Sequence, residues 1–183
     1  PTHTAVIFEG QRLTWTELNA KANQCSGALR ARGLVAGDAV SLIMENRIEF
    51  LTSLIALNKL GAIAALINTN LTGLPLIHCI KNANSKMCIF GEERLQEIVD
   101  VKSNPGLECI KNWLFVKDTG EQPCPKWAIN LEEGTADDTN PAQTNRNTLA
   151  TVALYMYTSG TTGLPKAAVI TNRRFLLSST LSY

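Results

Sequence analysis

The chain has no excess of either charge: 17 Lys and Arg stand against 16 Asp and Glu in 183 residues, a net of +1 with histidine neutral. That balance argues against a nucleic-acid binder and against a protein held on anionic membranes by charge. Histidine is scarce. His3 and His78 are the two present, and His78 lies within Leu76-Ile77-His78-Cys79-Ile80, where a packed or surface ring is a simpler reading than a ligand. Cys25, Cys79, Cys88, Cys109 and Cys124 are scattered, with no close pair at zinc or redox spacing. They read as reduced thiols serving as small hydrophobes in a cytosolic protein, and no metal site of protein ligands is expected. No basic start followed by an apolar core and cleavage site is present, so no signal peptide is read. The chain begins at Pro1, which leaves a missing natural N-terminus as an expectation. The most apolar long stretch, Ser53 to Asn68, is interrupted by Asn58, Lys59 and Gly61, well short of a membrane span. No repeat of fixed period is visible.

What is present is 45% hydrophobic residues, ordinary for a globular domain with a substantial core. Thr4 to Phe8 and Gln11 to Thr14 read as strands of a hairpin turning at Glu9-Gly10. Thr14 and Glu17 have the spacing of a capping box, and Leu18, Ala22, Cys25, Ala28 and Leu29 then fall on one helical face ending near Gly33. Strands at Ala39 to Met44, Ala62 to Ile67, Lys86 to Phe90 and Trp113 to Val116 alternate with helical stretches at about Arg47 to Leu60, Leu74 to Asn82 and Glu92 to Val101. Such alternation implies right-handed crossovers and a doubly wound, largely parallel sheet with flanking helices. Residues 121–147, with three prolines, acidic pairs and many Asn and Thr, read as a long surface connection.

The rest of the chain leads up to Tyr157-Thr158-Ser159-Gly160-Thr161-Thr162-Gly163-Leu164-Pro165-Lys166. It joins one apolar run, Val152 to Tyr157, to another, Ala167 to Ile170. It is therefore a loop between strands. Its glycines allow a ligand to approach the main chain, four hydroxyls crowd the bend, and Lys166 adds a mobile positive charge. This is what a polyphosphate needs. The Walker form is excluded: the glycines are too close together, Leu164-Pro165 separates the second from the lysine, and β-prone residues follow where a helix should begin. A turn-rich surface loop without function is the plain alternative, against which stands the number of specified positions between two apolar strands.

At these residues the chain closely resembles the signature of the adenylate-forming, or AMP-binding, superfamily, which includes acyl-CoA synthetases, peptide-synthetase adenylation domains and luciferases. The resemblance implies that Thr158, Ser159, Gly160, Thr161, Thr162, Gly163 and Lys166 bind ATP, with Thr158 and Lys166 serving the chemistry. The loop would close over the β- and γ-phosphates while a carboxylate attacks the α-phosphate, giving an acyl-adenylate and pyrophosphate. Upstream, Leu13-Thr14-Trp15-Thr16-Glu17-Leu18, Gly37-Asp38-Ala39-Val40 and Asn46 to Phe50 look like the N-terminal part of the same superfamily. Leu60 to Asn70, then Leu76 to Ile80, and Ala167-Ala168 after Lys166 are similar to its fatty acid transport protein and very-long-chain acyl-CoA synthetase branch. Asn172 stands where members often carry histidine.

The resemblance covers residues 1–183 as the N-terminal part of the AMP-binding domain and lacks the family's acidic magnesium motif, ribose aspartate, hinge and C-terminal domain. It implies a parent that activates a long-chain or very-long-chain fatty acid with ATP and forms the CoA thioester, with ATP, Mg²⁺ and CoA as its cofactors or substrates. This chain alone is expected not to turn over. Two alternatives stay open: a non-catalytic fatty-acid or nucleotide-binding or transport module, and an adenylating enzyme for aryl or amino acids. No nucleic-acid partner is expected, and the parent is placed in the cytoplasm, with peripheral membrane association left open.

Overall fold

The computed structural model describes residues 2–133, 137–158 and 164–180. Strands β1 (Thr4–Phe8) and β2 (Gln11–Thr14) form a separate antiparallel pair, and Glu9 and Gly10, both at positive φ, make the turn. Helix α1 (Trp15–Ala31) starts on the expected capping box: Thr14 N–H donates to Glu17 Oε2 at 2.7 Å and Glu17 N–H donates to Thr14 Oγ1 at 3.2 Å. Then come β3 (Ala39–Ile43), α2 (Ile48–Lys59), β4 (Ile63–Leu66), α3 (Gly73–Asn82), β5 (Met87–Gly91), α4 (Leu95–Val101) and β6 (Asn112–Val116). The last elements are β7 (Ile129–Asn130), β8 (Val152–Thr158), β9 (Lys166–Thr171) and α5 (Asn172–Thr180).

Seven of the strands form one sheet in the order β7-β6-β5-β3-β4-β8-β9, parallel throughout except that β9 runs antiparallel to β8. Every residue of β3 and β5 is buried, which explains why these strands read as unbroken apolar runs rather than alternating ones. Their side chains nonetheless alternate between two cores. Val40, Leu42, Met87, Ile89, Leu114 and Leu154 pack on the face covered by α1 and α2. Ile43, Cys88, Phe90 and Phe115 pack on the face covered by α3 and α4.

The structure adds to the expectations in three places. The helix read from Glu92 begins with a 3₁₀ turn, Glu92–Arg94, and becomes α-helical at Leu95. Helix α5 was not foreseen, because the polar start Asn172-Arg173-Arg174 carries no N-terminal signal beyond the asparagine. The stretch 121–147 is more than a tether: β7 adds to the sheet edge, Leu131 is buried, and the Trp127 ring stacks on Phe90 at 5.7 Å. Its far end is pinned to the α1–α2 face, where Lys59 Nζ donates to the side-chain oxygens of Asn19, Asn23 and Asn140 at 2.6, 2.7 and 2.5 Å. Asn147 Nδ2 donates to the Asn58 carbonyl at 2.7 Å. A side chain at Gly61, whose φ is +64°, would bring its Cβ to 2.6 Å from Asn147 Oδ1, so this turn takes glycine both for its conformation and for its closeness to the strap.

Candidate functional site

Strand β8 is parallel to β4, so its end at Thr158 lies on the carboxyl edge of the sheet, the edge at which doubly wound folds take ligands. Across the β8–β9 ladder Thr158 is directly opposite Lys166. Opposed residues share a face, and here that face is open: Met156, two residues before Thr158, is half exposed, and Thr158 and Lys166 are exposed themselves. Lys166 has no ion pair with any carboxylate among the described residues. A solvent-facing ammonium beside a hydroxyl, without a neutralising acid, suits a phosphate oxygen. The structure thus brings Thr158 and Lys166 together. Ser159, Gly160, Thr161, Thr162 and Gly163 lie outside the described residues.

Both stems of this hairpin touch α3. The Tyr157 hydroxyl donates to the Cys79 carbonyl at 2.8 Å, and the His78 ring Nε2 lies 3.3 Å from the Pro165 carbonyl oxygen. Burial pushes the Tyr157 phenol up to about 12, so it stays protonated and able to donate. Beside it a groove of about 560 Å³ runs between α3 and the hairpin, lined by His78, Asn82, Tyr155, Pro165 and Lys166 among others. At the opposite end of the hairpin, Asn172 accepts from Asn58 Nδ2 at 3.0 Å and donates to the Thr148 carbonyl at 3.1 Å. Asn172, in place of the histidine common in the superfamily, thus ties the end of β9 to α2.

The other half of the same edge holds a cluster that sequence reasoning missed. Arg47, 8% exposed, places Nη1 at 2.7 Å from Glu93 Oε2 and at 3.2 Å from Asp118 Oδ2, with Glu49 Oε2 at 3.6 Å from its Nε. Glu93 also accepts the Glu45 N–H at 2.8 Å. Glu92, 5% exposed, accepts from the N–H groups of Asp118 at 2.9 Å and Gln122 at 2.7 Å, and from Lys117 Nζ at 3.4 Å. Burial alone would raise the Glu92 carboxyl, but those two amides and Lys117 together hold it below its ordinary value. The available signal was Glu92-Glu93 placed directly after a fully apolar strand, where carboxylates reach the turns of neighbouring strands.

The cysteines are free thiols. Burial pushes Cys25 up to about 12 and Cys79 up to about 11, and it raises Cys88 further. None of these three is a thiolate at neutral pH, so none is a ready nucleophile.

The fold and this hairpin define a doubly wound α/β domain of the kind that takes its ligand at the carboxyl edge of a parallel sheet. The chain matches the AMP-binding enzyme family over residues 1–183 and belongs to it. It is 31% identical over 181 residues to long-chain fatty acid transport protein 6 of Mus musculus, a match that covers 98% of this chain and 29% of that protein. It is 31% identical over 169 residues to the medium/long-chain-fatty-acid–CoA ligase FadD6 of Mycobacterium tuberculosis, covering 92% of this chain and 26% of the relative. Among solved structures it resembles a Mycobacterium tuberculosis fatty acyl CoA synthetase with a TM-score of 0.77 and 29% identity, covering 94% of this chain and 32% of that one. The chain therefore spans less than a third of the length of the relatives it matches. No helix among the described residues is long and apolar enough to cross a membrane.

Proposed function

We propose that this chain supplies the part of an acid–thiol ligase that grips the phosphates of ATP while a long-chain or very-long-chain fatty acid is activated. The observation that carries this is the pairing of Thr158 with an unneutralised Lys166 at the carboxyl edge of the sheet. The fatty-acid class is supported by the relatives, which are named for fatty acid transport and for fatty-acid–CoA ligation. In the first half-reaction a carboxylate oxygen bonds to the α-phosphorus, and the bond from that phosphorus to the bridging oxygen breaks, releasing pyrophosphate. In the second, the CoA thiol gives up its proton to solvent as its sulfur bonds to the acyl carbon, and AMP leaves with the electron pair of the acyl–oxygen bond.

Within that scheme the ammonium of Lys166 offsets charge on the departing phosphates, and the Thr158 hydroxyl donates to a phosphate oxygen. Ser159, Gly160, Thr161, Thr162 and Gly163 complete the proposed ATP-binding set with further hydroxyls and main-chain donors. Mg²⁺ would arrive bound to the nucleotide as part of the substrate; among the described residues no cluster of acidic, cysteine or histidine side chains is placed to hold it. The test is fatty-acid-dependent exchange of labelled pyrophosphate into ATP by the full-length enzyme. Exchange that is strong with long-chain acids and weak with benzoate and amino acids is expected. A preference for aryl or amino acids, or no exchange with any carboxylate, contradicts the reading.

A further inference from the structure

Consecutive residues of α3 hold the two stems of the β8–β9 hairpin. The Cys79 carbonyl lies in the last turn of the helix and uses both of its lone pairs, accepting the Ala83 N–H at 3.0 Å and the Tyr157 hydroxyl at 2.8 Å. One residue earlier, His78 lies half-buried with Nε2 at 3.3 Å from the Pro165 carbonyl oxygen. Tyr157 immediately precedes Thr158 and Pro165 immediately precedes Lys166, so each contact sits one residue from a member of the opposed pair. The Pro165 carbonyl belongs to the same rigid peptide plane as the Lys166 nitrogen. Holding that oxygen fixes the direction in which the chain enters Lys166.

We propose that His78 is a positioning residue for Lys166, and that α3, through His78 and the Cys79 carbonyl, sets the spacing and direction of the Thr158–Lys166 pair. The proposal rests on the reading of that pair as the phosphate grip. It assigns a tautomer: a carbonyl oxygen only accepts, so His78 must carry a proton on Nε2, which the neutral ring does only in one of its two forms. His78 touches no substrate; it acts through the Pro165–Lys166 peptide.

Amide hydrogen exchange of the full-length enzyme, together with its Mg·ATP affinity, tests this in His78→Phe, Tyr157→Phe and His78→Gln. The first two remove a donor while keeping ring bulk, and the third restores an N–H. In His78→Phe, exchange at residues 157–158 and 166–167 should rise by about tenfold, and Mg·ATP affinity should fall by about the same factor, as for loss of one neutral hydrogen bond. Tyr157→Phe should raise exchange at the same amides. The far end of the ladder, at residues 152–154 and 169–171, should not change. His78→Gln should recover both properties, which a role limited to filling space would not. Unchanged exchange at the hairpin end in His78→Phe, no recovery in His78→Gln, or a neutral ring protonated on Nδ1 by ¹⁵N chemical shift overturns the proposal. Lys166→Ala with undiminished ATP affinity would instead overturn the phosphate reading, and the exchange result would still decide the role of His78.

Discussion

The carboxyl edge of this sheet has two unlike halves. At the ends of β3, β5 and β6 the charges are paired with opposite charges: Arg47 lies among Glu93, Asp118 and Glu49, and Glu92 gathers Lys117 and two main-chain amides. Where β8 ends and β9 begins, a threonine and a lysine stand opposite each other, and among the described residues no carboxylate is in ion-pair range of the lysine. In a sheet of this winding the crevice between β3 and β5, whose following helices α2 and α4 lie on opposite faces, is the ordinary ligand position. Here the Glu45 N–H and the Arg47 guanidinium both bond to Glu93 and fill it. Charge turned inward serves cohesion, whereas charge left unpaired is free for a ligand, the role proposed for Lys166. The two halves should therefore respond differently to mutation, one in stability and the other in binding.

The largest effect on stability should come from Arg47→Ala. It leaves Glu93 and Asp118 facing each other without their cation, which should cost about 2–3 kcal/mol in urea unfolding, less than for a fully buried pair because those carboxylates keep 20% and 35% of their side-chain exposure. A loss below about 1 kcal/mol would place this cluster with ordinary surface pairs and remove the contrast. Next is Gly120→Ala, whose new Cβ would run into the Glu92 carboxylate. Glu92 could move only by giving up charged hydrogen bonds, so a loss of about 1–3 kcal/mol is expected by the same measurement.

Acid should dissolve the paired half first. The Glu92 carboxyl is held below its ordinary value of 4.5, so its contribution to stability is complete above that pH and drains away as pH falls through the lower, folded value. Glu92→Gln should flatten the acid side of the stability profile between pH 4.5 and the folded value; an unchanged slope would mean that other carboxylates carry it. The smallest effect should be that of Lys166→Ala on unfolding, within about 0.5 kcal/mol, because an exposed, unpaired side chain has little to lose.

The sequence told much about the free half and little about the paired one. The loop signature needs particular residue types at fixed spacing within one short segment, and the apolar runs on either side, Val152–Tyr157 and Ala167–Ile170, place it between strands. The central strands were equally plain, since residues buried on both faces give unbroken runs of Val, Leu, Ile and Phe. Glu93 and Asp118, by contrast, lie 46 or more residues from Arg47 in the chain, and the three meet only because β3, β5 and β6 are neighbours in the sheet. Pairing order is not written in local periodicity. For the same reason residues 121–147 read as a surface connection: the bonds that Asn140 and Asn147 make to α2 span more than eighty residues. His78 read as a packed or surface ring because its partner, a main-chain carbonyl, has no residue type to recognise.

The central claim is that Lys166 is unpaired because its partner is a phosphate of ATP. Its most direct test is the dissociation constant for Mg·ATP in the full-length enzyme before and after Lys166→Ala, with unfolding followed in parallel. The account predicts affinity weakened by at least about tenfold, as for loss of one charge-assisted contact, with stability unchanged. Equal affinity in the two proteins would contradict it.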